Sequence, residues 1–296
     1  MGLVMAVVAL LGIGGVAYAI VNGGIEVLSL RQRASEQDIV ERFEDQAYAE
    51  VMSLADSTLS DQPMHDLSLV LGGFARFYAG VNQVNVERKS QLIDESITYL
   101  RRAKLLPRTP MEAQVEYILG KAYYHKGPFF ADLTVDHLEN ALAAGYDSGD
   151  TYEYLGLAYA QLGDLERSVT NFEIAAERQP TDLLYLTVAQ TYQQLNDYTE
   201  AEDYLRKAIA ASEDDYMRYR ARIELVEVLV GSEQFGPAEQ LLNQILEANP
   251  ESADAHYYLG VVYDATGNPE RARFEWREAR RIDPNHVEAL RRLGGS

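Results

Sequence analysis

The sequence predicts an all-α fold in which short antiparallel helix pairs stack on one another. Residues 149–181 read GDTYEYLGLAYAQLGDLERSVTNFEIAAERQPT, which is two short amphipathic segments separated by a Gly-Asp dipeptide and closed by a proline. The same pattern returns downstream at intervals of about 34 residues, the length of one helix–turn–helix repeat. Stacked helix pairs bury a continuous core between neighbours, so the pattern predicts an extended array instead of one globular centre.

Each element of this stretch has a local physical reason. Gly163 follows the last residue of the first helical pattern, where a left-handed residue commonly ends a helix. Gly156 lies at the middle of that helix and has no side chain to hold a neighbouring helix away. Pro180 ends the second helix because proline cannot continue one.

These residues resemble the tetratricopeptide repeat, whose pattern is aromatic–x2–Leu–Gly–x2–Tyr followed by Ala, an aromatic residue, Ala and Pro. In residues 149–181 the pattern falls on Tyr152, Leu155, Gly156, Tyr159, Ser168, Phe172, Ala175 and Pro180. Ser168 departs from the pattern, because the family usually has alanine there. The other units match at Leu119, Gly120, Tyr123, Gly127, Leu138 and Ala141; at Tyr185, Val188, Ala189, Tyr192, Asn196, Ala201, Leu205 and Ala208; at Leu225, Ala238, Leu242 and Pro250; and at Leu259, Gly260, Tyr263, Gly267, Ala272, Trp276, Ala279 and Pro284.

The resemblance implies an all-α tetratricopeptide-repeat (TPR) solenoid, a right-handed superhelix of stacked antiparallel helix pairs. The sequence before the repeats predicts a transmembrane helix followed by a stalk helix. About five repeats are recognised, and Val287 begins one more helix. The predicted regions are a transmembrane anchor at residues 1–30, a juxtamembrane stalk helix at 31–62, a degenerate helical repeat at 63–112 and the repeat array at 113–296.

The stalk and the degenerate repeat rest on weaker patterns. From Ser35 to Leu59 apolar residues recur three or four apart, which predicts one helix that Asp61-Gln62-Pro63 then ends. In the degenerate repeat, Ser96, Leu100 and Ala103 take the second-helix positions. Residues 81–89 are predicted to form a long turn between its two helices.

The amino-terminal segment has the composition of a membrane helix. The 19 residues from Leu3 to Val21 carry no charge, and about 20 apolar residues cross a bilayer core. We therefore expect a single-pass anchor in the cell membrane. A cleaved signal peptide is an alternative, since Ala17-Tyr18-Ala19 resembles a cleavage site, although no Lys or Arg precedes the apolar run. A buried helix of a soluble domain is the third interpretation.

Small residues and flanking charges add two expectations about this segment. Gly15, Ala19 and Gly23 fall four apart, a spacing that lets membrane helices pack closely against each other or a partner. Arg31 and Arg33 follow the apolar run, so the positive-inside rule favours a cytoplasmic array over an extracytoplasmic one.

Composition excludes several classes of function. The formal charge of −20 disfavours nucleic-acid binding, which needs clustered Lys and Arg. The chain has no cysteine, which excludes disulfides, thiolate catalysis and cysteine-ligated zinc. The five histidines are scattered, and no phosphate-binding loop, His-Glu-x-x-His or Gly-x-Ser-x-Gly motif occurs. We therefore expect no enzyme, no metal and no cofactor.

The resemblance also implies a partner-binding groove lined by the first helix of each pair. Tyrosine and glutamine are common at these positions, and tyrosine offers apolar area and a hydroxyl to a protein partner. Several tyrosines could instead pack between adjacent units. Lys121 is the only Lys in the set and no Asn joins it, which argues against clamping of a C-terminal carboxylate. The predicted groove residues are Tyr117, Lys121, Tyr124, His125, Glu153, Leu157, Gln161, Leu186, Gln190, Gln194, Ile223, Glu227, Tyr257, Val261 and Asp264.

Two functions follow from these patterns. The first is a membrane-anchored scaffold or adaptor that binds a peptide or helix of a partner protein on its concave face and holds it at the membrane. The alternative is a structural subunit that assembles with copies of itself, or with other membrane proteins, into a ring or filament.

Overall fold

The computed structural model describes residues 36–294, and this part of the chain is helical with short connections. Residues 36–44 are helical and are named α1. The following helices are α2 Tyr48–Asp61, α3 Asp66–Val81, α4 Val86–Ala103, α5 Glu112–Lys126, α6 Ala131–Ala143, α7 Thr151–Leu162, α8 Leu165–Arg178, α9 Asp182–Gln194, α10 Tyr198–Ala211, α11 Asp215–Gly231, α12 Phe235–Ala248, α13 Ala253–Ala265, α14 Pro269–Ile282 and α15 Val287–Gly294. A 3-10 turn at Pro128–Phe130 precedes α6.

The predicted anchor at residues 1–30, with Gly15, Ala19 and Gly23, lies outside the described residues. Among residues 36–294, no helix combines the length and the apolar composition needed to cross a bilayer.

Helix boundaries follow the local sequence signals. Asp164 and Asp197 accept hydrogen bonds from backbone N–H groups in the first turns of α8 and α10, which satisfies donors that have no partner inside the helix. Gly163 has φ +77° at the end of α7, and Asn196 has φ +60° at the turn before α10. Both residue types tolerate this left-handed conformation, as the sequence predicts.

The glycine at the middle of each well-matched first helix lies against a bulky residue of the second helix. A Cβ atom placed on Gly156 would lie 2.6 Å from Phe172 Cδ1, and one on Gly120 would lie 2.6 Å from Leu138 Cγ. Trp276 fills the same place opposite Gly260. The absence of a side chain therefore lets the two helices of a pair approach closely.

Ser168, the residue that departs from the repeat pattern, has a specific partner. Its side chain is fully buried, and its Oγ donates a 2.8 Å hydrogen bond to the carbonyl oxygen of Gly156. A buried hydroxyl without such a partner would be costly. The bond adds a polar link between α7 and α8 that alanine would lack.

The predicted single stalk helix is wrong. The helix breaks at residues 45–47, where Gln46 has φ +57°, and α2 then packs against α3. Val51, Ala55 and Leu59 of α2 are buried, and a Cβ on Gly72 would lie 2.8 Å from that of Ala55. Burial of this apolar stripe favours a packed helix over an extended stalk.

The turn predicted at residues 81–89 is shorter than expected. Helix α4 already begins at Val86, because the side chain of Asn85 accepts a hydrogen bond from the backbone N–H of Arg88 and caps the helix. The degenerate repeat is thus a regular antiparallel pair, α3 and α4.

The chain divides into two compact units, Met1–Asp147 and Ser148–Ser296. This division falls within the region predicted as one continuous array. In the first unit the core includes Leu69, Phe77, Leu92 and Leu100. In the second, apolar residues of α8–α13 form the main clusters, with Leu205, Leu225 and Leu242 fully or almost fully buried.

Candidate partner-binding surfaces

The first unit contains an apolar cavity of about 510 Å³. It lies among the helices α1, α3 and α5, with Met111 at the start of α5. Val40 and Met111 are partly exposed at its edge, at 36% and 38% of their surface. The lining residues are Val40, Phe43, Glu44, Leu67, Leu71, Phe74, Tyr78, Met111, Gln114, Tyr117, Ile118 and Tyr146.

Several aromatic rings contact one another around this cavity. The ring centroid of Phe43 lies 6.2 Å from that of Phe74 and 6.3 Å from that of Tyr78. The rings of Tyr117 and Tyr146 lie 5.2 Å apart. Glu44 and Gln114 are the strongly polar side chains of the lining. Such a cavity can accept large apolar side chains, with a few polar groups available to orient them.

Lys121 lies beside this aromatic group. Its Nζ donates a 3.0 Å hydrogen bond to the hydroxyl of Tyr117 and lies 5.8 Å from the ring centroid of Phe77. A lysine over aromatic faces is attracted by their negative electrostatic potential. Of the four groove residues predicted on α5, Tyr117 is 5% exposed and lines the cavity, whereas Lys121, Tyr124 and His125 are half-buried.

The surroundings of His125 keep its ring uncharged. Its ring centroid lies 6.0 Å from that of Phe77. Burial, together with the positive charges of Lys89 and Lys121, lowers the pKa of His125 to about 4. The ring is therefore uncharged at neutral pH and contributes to packing more than to electrostatic recognition.

In the second unit, the predicted groove residues lie on α7, α9, α11 and α13. Leu186 is only 2% exposed and belongs to the core, so its prediction as an accessible groove residue is wrong. It faces inward because it packs with the apolar residues of α10 and α11. The remaining predicted residues are at least partly accessible, namely Glu153, Leu157, Gln161, Gln190, Gln194, Ile223, Glu227, Tyr257, Val261 and Asp264.

Several accessible groove residues join neighbouring first helices. Both carboxylate oxygens of Glu224 accept 3.0 Å bonds from Gln190 Nε2, which links α9 to α11. Glu227 accepts a hydrogen bond from the hydroxyl of Tyr258 on α13. Burial and this carboxylate raise the pKa of Tyr258. These contacts give part of the predicted surface a structural role, and the binding role of these residues stays a prediction.

At the carboxyl end, α15 lies beside the groove residues of α13. The ring centroids of Tyr257 and His286 are 5.1 Å apart, and Arg292 Nη1 lies 3.6 Å from Asp264 Oδ2. Tyr257 and Asp264 therefore contact the next helix of the chain, as expected where a further first helix follows.

Sequence reasoning missed the aromatic residues that α1 and α3 contribute to the cavity. Phe43, Phe74 and Tyr78 lie in segments predicted as a stalk and a degenerate repeat. Their apolar spacing signalled burial, but not which helix they would face. Residues 36–294 contain no group of three or more His, Asp or Glu side chains placed to hold a metal ion.

Two family models described as tetratricopeptide repeat match the chain, one over residues 135–182 and one over residues 192–251 and 229–294. Together the matches cover just over half of the chain. This is a tetratricopeptide-repeat protein. The TPR matches lie within α6–α15 and include the Gly156–Phe172 and Gly260–Trp276 pairs.

Similar proteins share parts of this chain. Anaphase-promoting complex subunit 3 of Schizosaccharomyces pombe is 26% identical over 110 residues, 37% of this chain and 16% of that protein. The type IV pilus assembly protein PilF of Pseudomonas aeruginosa is 36% identical over 84 residues, 27% of this chain and 33% of that protein. The TPR chain thus spans a third or less of the length of either relative.

A solved structure supports the fold. The C-terminal part of a TPR repeat-containing protein from Cytophaga hutchinsonii has a TM-score of 0.62, at 14% identity, over 87% of this chain and 99% of that structure. The TM-score shows that the two proteins share a fold, and at 14% identity the likeness concerns the fold alone. The TPR assignment and the all-α repeat fold are therefore confirmed.

Proposed function

We propose that this TPR protein is a membrane-anchored scaffold that binds a helical segment of a partner protein on the face formed by its first helices. The observation that carries the proposal is the apolar cavity of about 510 Å³ among α1, α3 and α5. Folded proteins normally fill such spaces with their own side chains. An apolar cavity with exposed residues at its edge suits a side chain supplied by another molecule.

The cavity selects for an amphipathic partner. One or two large apolar side chains would enter between Phe43, Phe74 and Tyr78. The carboxylate of Glu44 would favour a basic residue of the partner nearby. An amphipathic helix presents such anchors three or four residues apart, which is a common mode of recognition by helical grooves.

Filling the cavity tests this proposal. Val40→Trp places a bulky ring at its partly exposed edge, whereas Val84→Trp places the same ring on a loop residue that is 97% exposed and does not line the cavity. Each variant carries a photo-crosslinking amino acid at Glu44. We expect Val40→Trp to lose the crosslinked partner that Val84→Trp retains. Equal crosslinking by both variants, with both folded, would contradict a binding role for the cavity.

The membrane part of the proposal rests on sequence. Leu3–Val21 would form the anchor, and Arg31 and Arg33 favour a cytoplasmic array. Protease added to intact cells carrying a tag after Ser296 checks both points. The proposal predicts that the tag is protected from protease until the membrane is opened. It also predicts that the tag is found in the membrane fraction. Cleavage in intact cells would place the array outside, and release into the soluble fraction would argue against an anchor.

A further inference from the structure

Helix α14 presents a stripe of three arginines to solvent. Arg273, Arg277 and Arg280 are spaced by four and three residues and are all exposed. The buried side of the same helix carries Ala272, Trp276 and Ala279. None of the three arginines forms an ion pair with a carboxylate anywhere in residues 36–294.

Local folding accounts for only part of this arrangement, since Arg280 alone of the three arginines lies in the last turn of α14, where the helix dipole favours a cation. Like charges three or four residues apart destabilise a helix by about 0.2–0.5 kcal/mol per pair. Arg281, on the same helix, is by contrast paired with Glu278 at 2.8 Å. Phe274 is 59% exposed beside the arginine stripe. A cationic stripe next to an exposed aromatic ring has the composition of a binding surface.

Helix α6 carries a stripe of the opposite charge with the same spacing. Asp132, Asp136 and Glu139 follow one another by four and three residues, and all are exposed. Glu139 already has an interaction within the chain, whereas Asp132 and Asp136 make no ion pair within its described part. The opposite side of α6 is buried through Val135 and Leu138. The acidic stripe is thus also directed to solvent.

We infer that the arginine stripe of one copy docks on the acidic stripe of a second copy. On an α-helix, four and three residues correspond to about 6 Å and 4.5 Å along the axis. Arg273, Arg277 and Arg280 of one copy therefore match Asp132, Asp136 and Glu139 of the other when the two helices run parallel. Guanidinium and carboxylate groups form strong, often bidentate, hydrogen bonds in this geometry.

The two stripes lie on different helices of one chain, so two arrangements are open to the copies. In a two-fold dimer both stripes of each copy are engaged, whereas a heterologous contact leaves one stripe of each copy for a further copy. Heterologous interfaces make rings when they close and chains of copies when they do not. The inference is independent of the groove, because α6 and α14 are second helices of their pairs.

The contact is expected to be weak and salt-dependent. Exposed ion pairs contribute about 0–1 kcal/mol each, and the net charge of −20 makes copies repel one another. Several pairs acting together, with Phe274 excluding water beside them, offset this repulsion. Copies held on one membrane would meet at a high effective concentration, which favours weak contacts.

Disulfide trapping tests the contact, since the chain has no cysteine of its own. Two differently tagged full-length copies are mixed in mild detergent, one with Arg277→Cys and one with Asp136→Cys. Mild oxidation should crosslink the two tags. The matched control replaces the Asp136→Cys copy with Glu166→Cys, an exposed acidic residue of α8. Crosslinking no stronger than in this control would overturn the inference.

Charge reversal gives a second, independent test. Arg277→Glu should weaken association in sedimentation experiments about tenfold, because it removes one exposed ion pair and also places two carboxylates opposite each other. Asp136→Arg should do the same, and mixing the two variants should restore association with each other.

Other occupants of the arginine stripe give different results. Two binding experiments compare the unchanged chain with Arg277→Glu. One measures binding of the full-length protein to double-stranded DNA, and the other measures binding of vesicles containing phosphatidylserine to protein held in nanodiscs. Loss of either binding in the variant, without any effect on self-association, would overturn the second-copy assignment. Self-association that is unaffected by both reversals would overturn it as well.

Discussion

His125 and Arg76 show how single residues set the properties of the first unit. His125, one of the predicted groove residues, has a neutral ring that packs beside Phe77. Arg76 is 4% exposed and binds Asp56 at 2.6 and 2.9 Å and Glu95 at 3.0 Å. Its guanidinium also lies 4.0 Å from the ring centroid of Tyr99. One arginine therefore joins α2, α3 and α4.

The shifted pKa of His125 predicts a pH-dependent stability. The unfolded chain binds a proton near the ordinary pKa of 6.5, whereas the folded chain binds it only near about 4. Stability contributed by the neutral ring is therefore present above pH 6.5 and is lost as pH falls towards 4. We expect His125→Gln to flatten this dependence. The measurement is the urea midpoint at pH 7.5 and 4.5, and identical pH profiles for both proteins would refute the claim.

At the scale of the element, a helix pair is held by the fit between a glycine and a bulky partner. Gly156 faces Phe172 across α7 and α8, and Ser168 adds a hydrogen bond to the Gly156 carbonyl. The fit leaves no room for even one methyl group without movement of the Phe172 ring. Overpacking of this kind typically costs about 1–3 kcal/mol.

We therefore predict that Gly156→Ala destabilises the α7–α8 pair by about 1–3 kcal/mol. In a Phe172→Leu background the same substitution should cost less, because the smaller side chain leaves space. A double-mutant cycle of unfolding free energies measures this coupling. Strictly additive effects would show that the Gly156–Phe172 contact does not set the approach of the two helices.

At the scale of the whole molecule, the chain has two compact units and no disulfide to join them. Repeat arrays derive their stability from each repeat and its nearest neighbours, so a defect need not spread along the array. Local damage in one unit should therefore be detected mainly in that unit.

Hydrogen exchange under increasing urea tests this independence. Arg76→Ala should reduce protection of α2–α4, because Asp56 and Glu95 lose their shared partner. We expect a loss of about 2 kcal/mol there, as for removal of a charged hydrogen-bond partner. Protection of α9–α13 should remain unchanged. Equal loss across both units would indicate one cooperative molecule, and Arg76→Met controls for the lost aliphatic stem.

The predictable features are those that short sequence windows determine. Gly163 was predicted to end its helix, and Asn196 takes the matching turn position of the next unit, since few residues accept a positive φ. Gln46 and Met111 also have positive φ, +57° and +50°, but nothing in their side chains indicates it. Surrounding packing imposes the conformation at these two residues. The turn at Gln46 is the reason that the prediction of a single stalk helix was wrong.

Long-range contacts were not predictable from the repeat pattern. The cavity needs α1 to fold beside α3, which brings Phe43 to Phe74. The Tyr258–Glu227 bond joins residues 31 positions apart on different helices. A repeat pattern identifies which helix face a residue occupies. It does not show whether a neighbouring unit supplies a partner for that residue.

The fit between glycine and bulky residue also bears on how such a chain can change during evolution. In Gly120–Leu138, Gly156–Phe172 and Gly260–Trp276, both members of the fit belong to one helix pair, and the bulky residue differs each time. A duplicated or deleted pair would carry its own matched fit with it. Exchange of a single helix would bring a mismatched partner. Recombination that keeps helix pairs intact is therefore expected to be tolerated more often than recombination that divides them.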